Sequence, residues 1–184
     1  MDAPDIVLEA RIRTICNAPS MIYGNKPVDG GNLLLTTEEK NELLKKEPQS
    51  EKWLRPLLGA EEFLNKKERW CLWLVGILPS ELKSMPEVLK RVQGVKAMRL
   101  ASVDAQARKL AERATEFRDT QEPESYVLIP CHSSENRRFI PIGFFDKHTI
   151  TTMLILCFPT PRSTISAYSP PPCTTRGCAK CVGV

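Results

Sequence analysis

Residues His132 to Arg138 read His-Ser-Ser-Glu-Asn-Arg-Arg, a run of side chains able to tell one base pair from another. In a major groove, arginine donates bidentately to guanine, asparagine pairs with adenine, and a carboxylate accepts from the cytosine amine. The same string also suits a hairpin connection whose polar groups simply face water. A second cluster, Cys173, Cys178 and Cys181, has thiol spacing that a zinc ion accepts, with Cys157 or a histidine as fourth ligand. Its flanks are rich in Pro, Ser and Thr and offer no periodic apolar pattern to support a metal, so no metal ligand is assigned. With 2 histidines in the whole chain, a three-histidine metal site is excluded. The chain also lacks HExxH, GxSxG, a glycine-rich phosphate loop and the Asn/Asp-Pro-Pro-Tyr/Phe box that holds an extruded base for amino methylation. Catalysis by this chain alone is not expected.

The elements that must hold the polar run are short. Tyr126 to Ile129 and Phe139 to Phe144 read as two strands joined by it. Upstream, Thr36 and Glu39 form a capping box before a helix that ends near Pro48. Glu51 to Leu64 reads as a second helical piece interrupted by Pro56 and Gly59, and Arg69 to Leu78 as a buried strand. From Ser84 and Pro86, the residues Val88, Leu89, Val92, Val95 and Met98 recur at helical spacing to about Ser102. Asp104 to about Arg113 continues as helix. Strands toward both ends and helices between them predict an α+β fold, a mixed small sheet with central helices.

The chain has 184 residues, 42% of them hydrophobic and 26% charged. A chain this long buries roughly 70% of its unfolded surface, enough for one core. The net charge of +4 permits a polyanionic partner. Between Lys83 and Arg118 there are 9 basic and 4 acidic residues, including Lys90, Arg91, Lys96, Arg99, Arg108 and Lys109. Such a face either solvates the helices or meets phosphates. No apolar window is long enough to cross a membrane and the first residues carry no secretory pattern, so a cytoplasmic location is expected. Cys16, Cys71 and Cys131 fall in apolar or strand-like runs and are expected to be reduced core thiols.

Four blocks in one order resemble a known family: Tyr23 to Gly31 (YGNKPVDGG), Arg55 to Phe63 (RPLLGAEEF), Arg69 to Leu74 (RWCLWL) and Ser133 to Phe144 (SSENRRFIPIGF). They are similar to the target recognition domain of MmeI-like class I DNA methyltransferases of type IIL restriction-modification systems. The likeness runs from about Asp2 to Asp146. It implies a module that reads double-stranded DNA and positions an adenine for N6 methylation by a separate S-adenosylmethionine-dependent domain, which this chain lacks. No cofactor is then expected here. By the same likeness Ser134, Glu135, Asn136, Arg137 and Arg138 carry sequence determinants, with Arg99 and Ser102 at the end of the long helix as further DNA contacts. An alternative is an interaction or regulatory module that binds an intact methyltransferase or nuclease encoded nearby, with a methyltransferase catalytic domain as its partner in trans.

Residues 1–146 are therefore expected to form the recognition domain and 147–184 an aberrant, disordered tail. From Thr149 onward the chain has no acidic residue and is rich in Thr, Ser, Pro and Cys. The resemblance implies a helical continuation that this sequence leaves near Thr151. Permitted codons for the residues from Thr160, read in another frame, encode text similar to that continuation. A frameshifted end of a truncated chain is the expectation, with the tail cysteines an accident of frame.

Overall fold

The computed structural model describes residues 21–132, 137, 139, 141–152 and, for the backbone, 155–159. The capping box forms as its spacing requires: Thr36 Oγ1 accepts from the Glu39 amide at 3.2 Å, and Glu39 Oε2 accepts from the Thr36 amide at 2.9 Å. It opens helix α1 (Thr37–Lys46). The long apolar period becomes α4 (Pro86–Leu100), with Pro86 in its first turn. Its N-terminal amides are capped from a distance, since the buried Glu47 carboxylate accepts from Glu87 at 2.6 Å and from Val88 at 3.2 Å. That places a negative charge at the positive end of the helix dipole.

The piece expected as helix over Glu51 to Leu64 divides into three. A 3₁₀ turn (Pro48–Trp53) leads into strand β3 (Leu54–Leu58), and α2 (Ala60–Asn65) follows. Pro56 lacks the amide a helix interior needs, and as a strand residue it pairs with Trp70. Gly59 lies where a side chain would collide with Glu62 Oε2, which accepts from the Gly59 amide at 2.9 Å.

Two four-stranded sheets result. One has the order β2 (Leu34–Leu35), β4 (Trp70–Leu72), β3, β7 (Ile150–Thr151), with β7 parallel to β3. α4 packs on it through Val88, Val92 and Val95, which share a core with Leu33, Leu35, Leu57, Leu72 and Met85. Cys71 is buried there, and burial pushes its thiol well above the ordinary range, as expected of an inert core cysteine. The other sheet has the order β1 (Ile22–Tyr23), β8 (Ile155–Pro159), β5 (Ser125–Pro130), β6 (Gly143–Asp146). Its inner face seats Tyr126 and Leu128 against Phe63 of α2 and against Leu58.

Residues beyond the expected boundary at Asp146 take part in both sheets. β8 is an interior strand, paired antiparallel with β1 on one side and with β5 on the other. Asn25 donates its amide to the Thr151 carbonyl at 2.7 Å, Thr152 donates to Leu58, and the Tyr126 hydroxyl donates to Thr149. Gly24 is required by the same contact, because a Cβ there would meet the Thr152 carbonyl oxygen at 2.4 Å. Strand pairing thus continues through 159, past the Asp146 at which the recognition domain is expected to end. Residues 160–184, with Cys173, Cys178 and Cys181, lie outside the described residues.

Candidate nucleic-acid interface

β5 and β6 pair with Leu128 opposite Gly143, so residues 131–142 connect the ends of two adjacent strands. The base of this loop is braced. Gly143 lets strand and helix approach, since a Cβ there would lie 2.9 Å from the Phe63 ring. Phe63 meets Phe145 edge-on at 6.0 Å between centroids, and Phe145 stacks on Tyr126 at 5.9 Å.

Of the loop residues expected to touch bases, Arg137 is exposed, and its Nη2 donates to the Leu64 carbonyl at 3.4 Å, at the C-terminal end of α2. Ser134, Glu135, Asn136 and Arg138 lie outside the described residues. Phe139 and Ile142 are 61% and 44% exposed. Cys131 is exposed as well, which corrects the expectation of a core thiol: it follows β5 and falls in the loop.

Arg99, expected as a further DNA contact, turns into the interior. It is fully buried, and its guanidinium donates to five backbone carbonyls: Val28 (2.9 Å), Pro27 (3.2 Å), Leu110 (2.9 Å), Arg113 (2.8 Å) and Glu116 (2.7 Å). Desolvation holds its pKa below the ordinary arginine value, with Asp29 opposing the shift. The signal was in the spacing, for Arg99 continues the Val88, Val92, Val95 series that forms the buried face of α4.

Ser102 is half-buried on the turn that follows α4. Its hydroxyl accepts from the Asp104 amide at 3.2 Å, and Asp104 caps α5 (Ala105–Lys109) through the Gln106 amide at 2.9 Å. Arg108 closes the turn from outside, donating to the Ser102 and Val103 carbonyls, each at 2.9 Å. Val103, which the sequence reading passed over because it falls off the α4 period, is 99% exposed. The turn thus holds an apolar group rigidly in solvent beside Arg108 and Lys109. Among the described residues Arg91 pairs with Glu39, Arg113 with Glu116 and Arg118 with Asp119, while Lys90, Lys96 and Lys109 make no ion pair. Of these, Lys109 lies at the α4–α5 corner, next to Arg108.

A family model described as MmeI, target recognition domain, matches residues 2–167. The chain belongs to this family. DNA methyltransferase A of Bacillus subtilis (strain 168) is 36% identical over 155 residues, covering 84% of this chain and 18% of that protein. The solved structure of the type IIL restriction-modification enzyme MmeI in complex with DNA superposes with a TM-score of 0.80 at 43% identity, over 91% of this chain and 23% of that one. This target recognition domain therefore spans about a fifth of the length of these relatives. The match confirms the α+β class with small sheets around central helices, and the family model runs through residue 167.

Proposed function

We propose that this chain reads duplex DNA sequence for an adenine-N6 methyltransferase of the MmeI type and transfers no methyl group by itself. The observation that carries the proposal is the packed β5–β6 pair from which the connection holding Ser134, Glu135, Asn136, Arg137 and Arg138 departs, on a fold that superposes on an enzyme solved with DNA. Acid, amide and guanidinium groups on a rigid footing match the hydrogen-bond code of the major groove. Ser102, Val103, Arg108 and Lys109 form a second contact on the same domain, the cations facing phosphate. Arg99 serves that corner by holding its carbonyls.

S-adenosylmethionine would be held by the catalytic domain of such an enzyme, and this reading gives the described residues no part in holding it. No step of the reading mechanism runs through that cofactor. No helix of the described residues is long and apolar enough to cross a membrane, which suits work on cytoplasmic DNA.

Selection of duplexes from a random pool by the full chain tests the proposal. A consensus site whose affinity falls steeply with salt supports it. Binding with neither a consensus nor salt dependence, or methyl transfer by the chain alone, overturns it.

A further inference from the structure

Between β1 and β2 the chain makes a tight turn whose outer side is backbone alone. Gly30 and Gly31 have φ of 62° and 82°, both are exposed, and the Asn32 amide donates across them to the Asp29 carbonyl at 3.3 Å. The amides of Gly30 and Gly31 meet no acceptor among the described residues. A Cβ on Gly31 would find nothing within 4 Å, so no neighbour in the described fold fills the space there. The turn is held from beneath. Arg99 donates to the Pro27 and Val28 carbonyls, Arg91 Nη1 donates to the Asn32 carbonyl at 3.1 Å, and the buried Asp29 carboxylate accepts from the Leu33 amide at 2.7 Å. Val28 has φ 48°, which a β-branched residue adopts only where its surroundings impose it.

Packing on α4 sets the turn between Lys90 and the α4–α5 corner. Asn32 fills the face of Gly94, where a Cβ would meet Asn32 Oδ1 at 2.5 Å, and a Cβ on Gly30 would meet Met98 Cγ at 3.1 Å. Lys90, exposed and without an ion pair among the described residues, stands one helical turn before Gly94, and Ser102 follows one turn after Met98. From Lys90 to Ser102 is about 18 Å along the helix, the rise of about five base pairs. The acidic groups along this strip are engaged: Asp29 by the Leu33 amide, Asp104 by the Gln106 amide and Glu87 by Lys46. Successive backbone amides in a turn bind anions with no side chain, and phosphate oxygens accept from backbone amides in duplex contacts. We propose that this turn extends the corner contact: Gly30 and Gly31 donate their amides to the sugar–phosphate backbone of a duplex that runs from the Arg108–Lys109 corner along α4 toward Lys90. The inference rests on the DNA-reading proposal and adds to it a phosphate contact made by backbone alone.

The test titrates the isotope-labelled full chain with a duplex taken from the selection and with an unrelated duplex of the same length. Phosphate is common to both, so the Gly30 and Gly31 amide resonances are expected to shift with each. Duplex affinity is then measured for Gly31→Asn and Gly31→Asp. Both side chains tolerate the left-handed region, and with open space at this position the two variants are expected to melt together. Gly31→Asp sets a carboxylate against phosphate and is expected to lose about tenfold in affinity for both duplexes, while Gly31→Asn loses less. Affinity of Gly31→Asp within about twofold of the parent, a loss confined to the selected duplex, or unmoved Gly30 and Gly31 amides at saturating duplex overturns the inference. The amide readout uses the unsubstituted chain, so it decides the matter where a substitution unfolds the turn. If the parent binds DNA while these amides stay still, this contact falls alone; if the parent binds neither duplex, the reading proposal falls and takes this contact with it.

Discussion

Arg99 donates through Nε to the Val28 carbonyl at 2.9 Å, bridging two positions 71 residues apart in the chain. The other guanidinium donors hold Pro27 and three carbonyls of the Leu110 to Glu116 segment, so one side chain ties the glycine-rich loop before β2 to the segment after α5. Replacing it with methionine keeps the volume but strips five buried acceptors of their donor. We expect Arg99→Met to lower unfolding free energy by about 3 kcal/mol or more, read from urea denaturation. Base preference, measured where the variant is still folded, should not change. A shifted preference with unaltered stability would make Arg99 a reader after all.

Glu47 caps a helix it does not belong to. Its carboxylate takes the Glu87 and Val88 amides at the start of α4, and Ser50 Oγ donates to its carbonyl. Glu47→Ala leaves those amides without an acceptor and removes a favourable charge from the helix N-terminus. A loss of about 1–2 kcal/mol in chemical denaturation is expected. Glu47→Gln should recover part of it, because the amide oxygen still accepts; equal losses for both variants would count against the capping role.

Gly24 fixes the approach of the first strand to the chain at Thr151 and Thr152. A methyl group there would lie 2.7 Å from Thr151 Oγ1 and closer still to backbone, which cannot swing aside. Gly24→Ala is expected to destabilise by about 2 kcal/mol, as overpacking does. Faster hydrogen exchange at the Asn25 amide, which donates to Thr151, should accompany it. A chain ending at Asp146 should not fold, having lost β7 and the interior strand β8. If it melts cooperatively, the boundary drawn from the sequence was right.

How much of this was legible follows from what each signal depends on. The capping box of α1 and the apolar period of α4 are local, and both helices stand where the spacing put them. β3 was misread because Leu54, Leu57 and Leu58 fit either period, and the deciding fact, pairing with β4, is not local. β7 and β8 were hidden by a change of composition, although a strand flanked by two others needs little more than apolar residues. Beneath the loop, β5 stands where Tyr126 to Ile129 was read as strand, whereas β6 begins at Gly143, four residues after the strand expected from Phe139. The burial of Arg99 could be read from its position on the apolar period of α4, which its charge obscured.

Acid should weaken α1 before the core. Glu39 holds its proton less tightly than an ordinary carboxyl of pKa 4.5, first because the Thr36 amide donates to it, against the opposing effect of burial and with further help from Arg91. A carboxyl with a lowered folded-state pKa contributes stability that is present above its unfolded value and lost as pH falls through the folded one. The thermal midpoint should therefore be insensitive to this group down to about pH 5 and decline below about 4.5. Glu39→Gln should flatten that part of the acid limb. The side chain is 45% exposed, so high salt should reduce the Arg91 contribution. An acid limb identical in the Gln variant would remove Glu39 from the account.

The two proposed DNA contacts should fail in different ways. Glu135 and Asn136 belong to a loop whose groups match base edges, so Asn136→Ala or Glu135→Ala should change discrimination at one base pair by about 1–3 kcal/mol. The slope of affinity against salt should stay as it was, because neither residue neutralises a phosphate. Lys109 stands unpaired among the described residues at the α4–α5 corner. Lys109→Ala should weaken binding evenly across sequences and lower the salt slope by about one. Competition between single-base variants of the selected duplex, repeated at several salt concentrations, separates the two effects. If Lys109→Ala shifts preference while the loop substitutions change only the slope, the reading surface lies at the corner and the β5–β6 loop is its phosphate anchor.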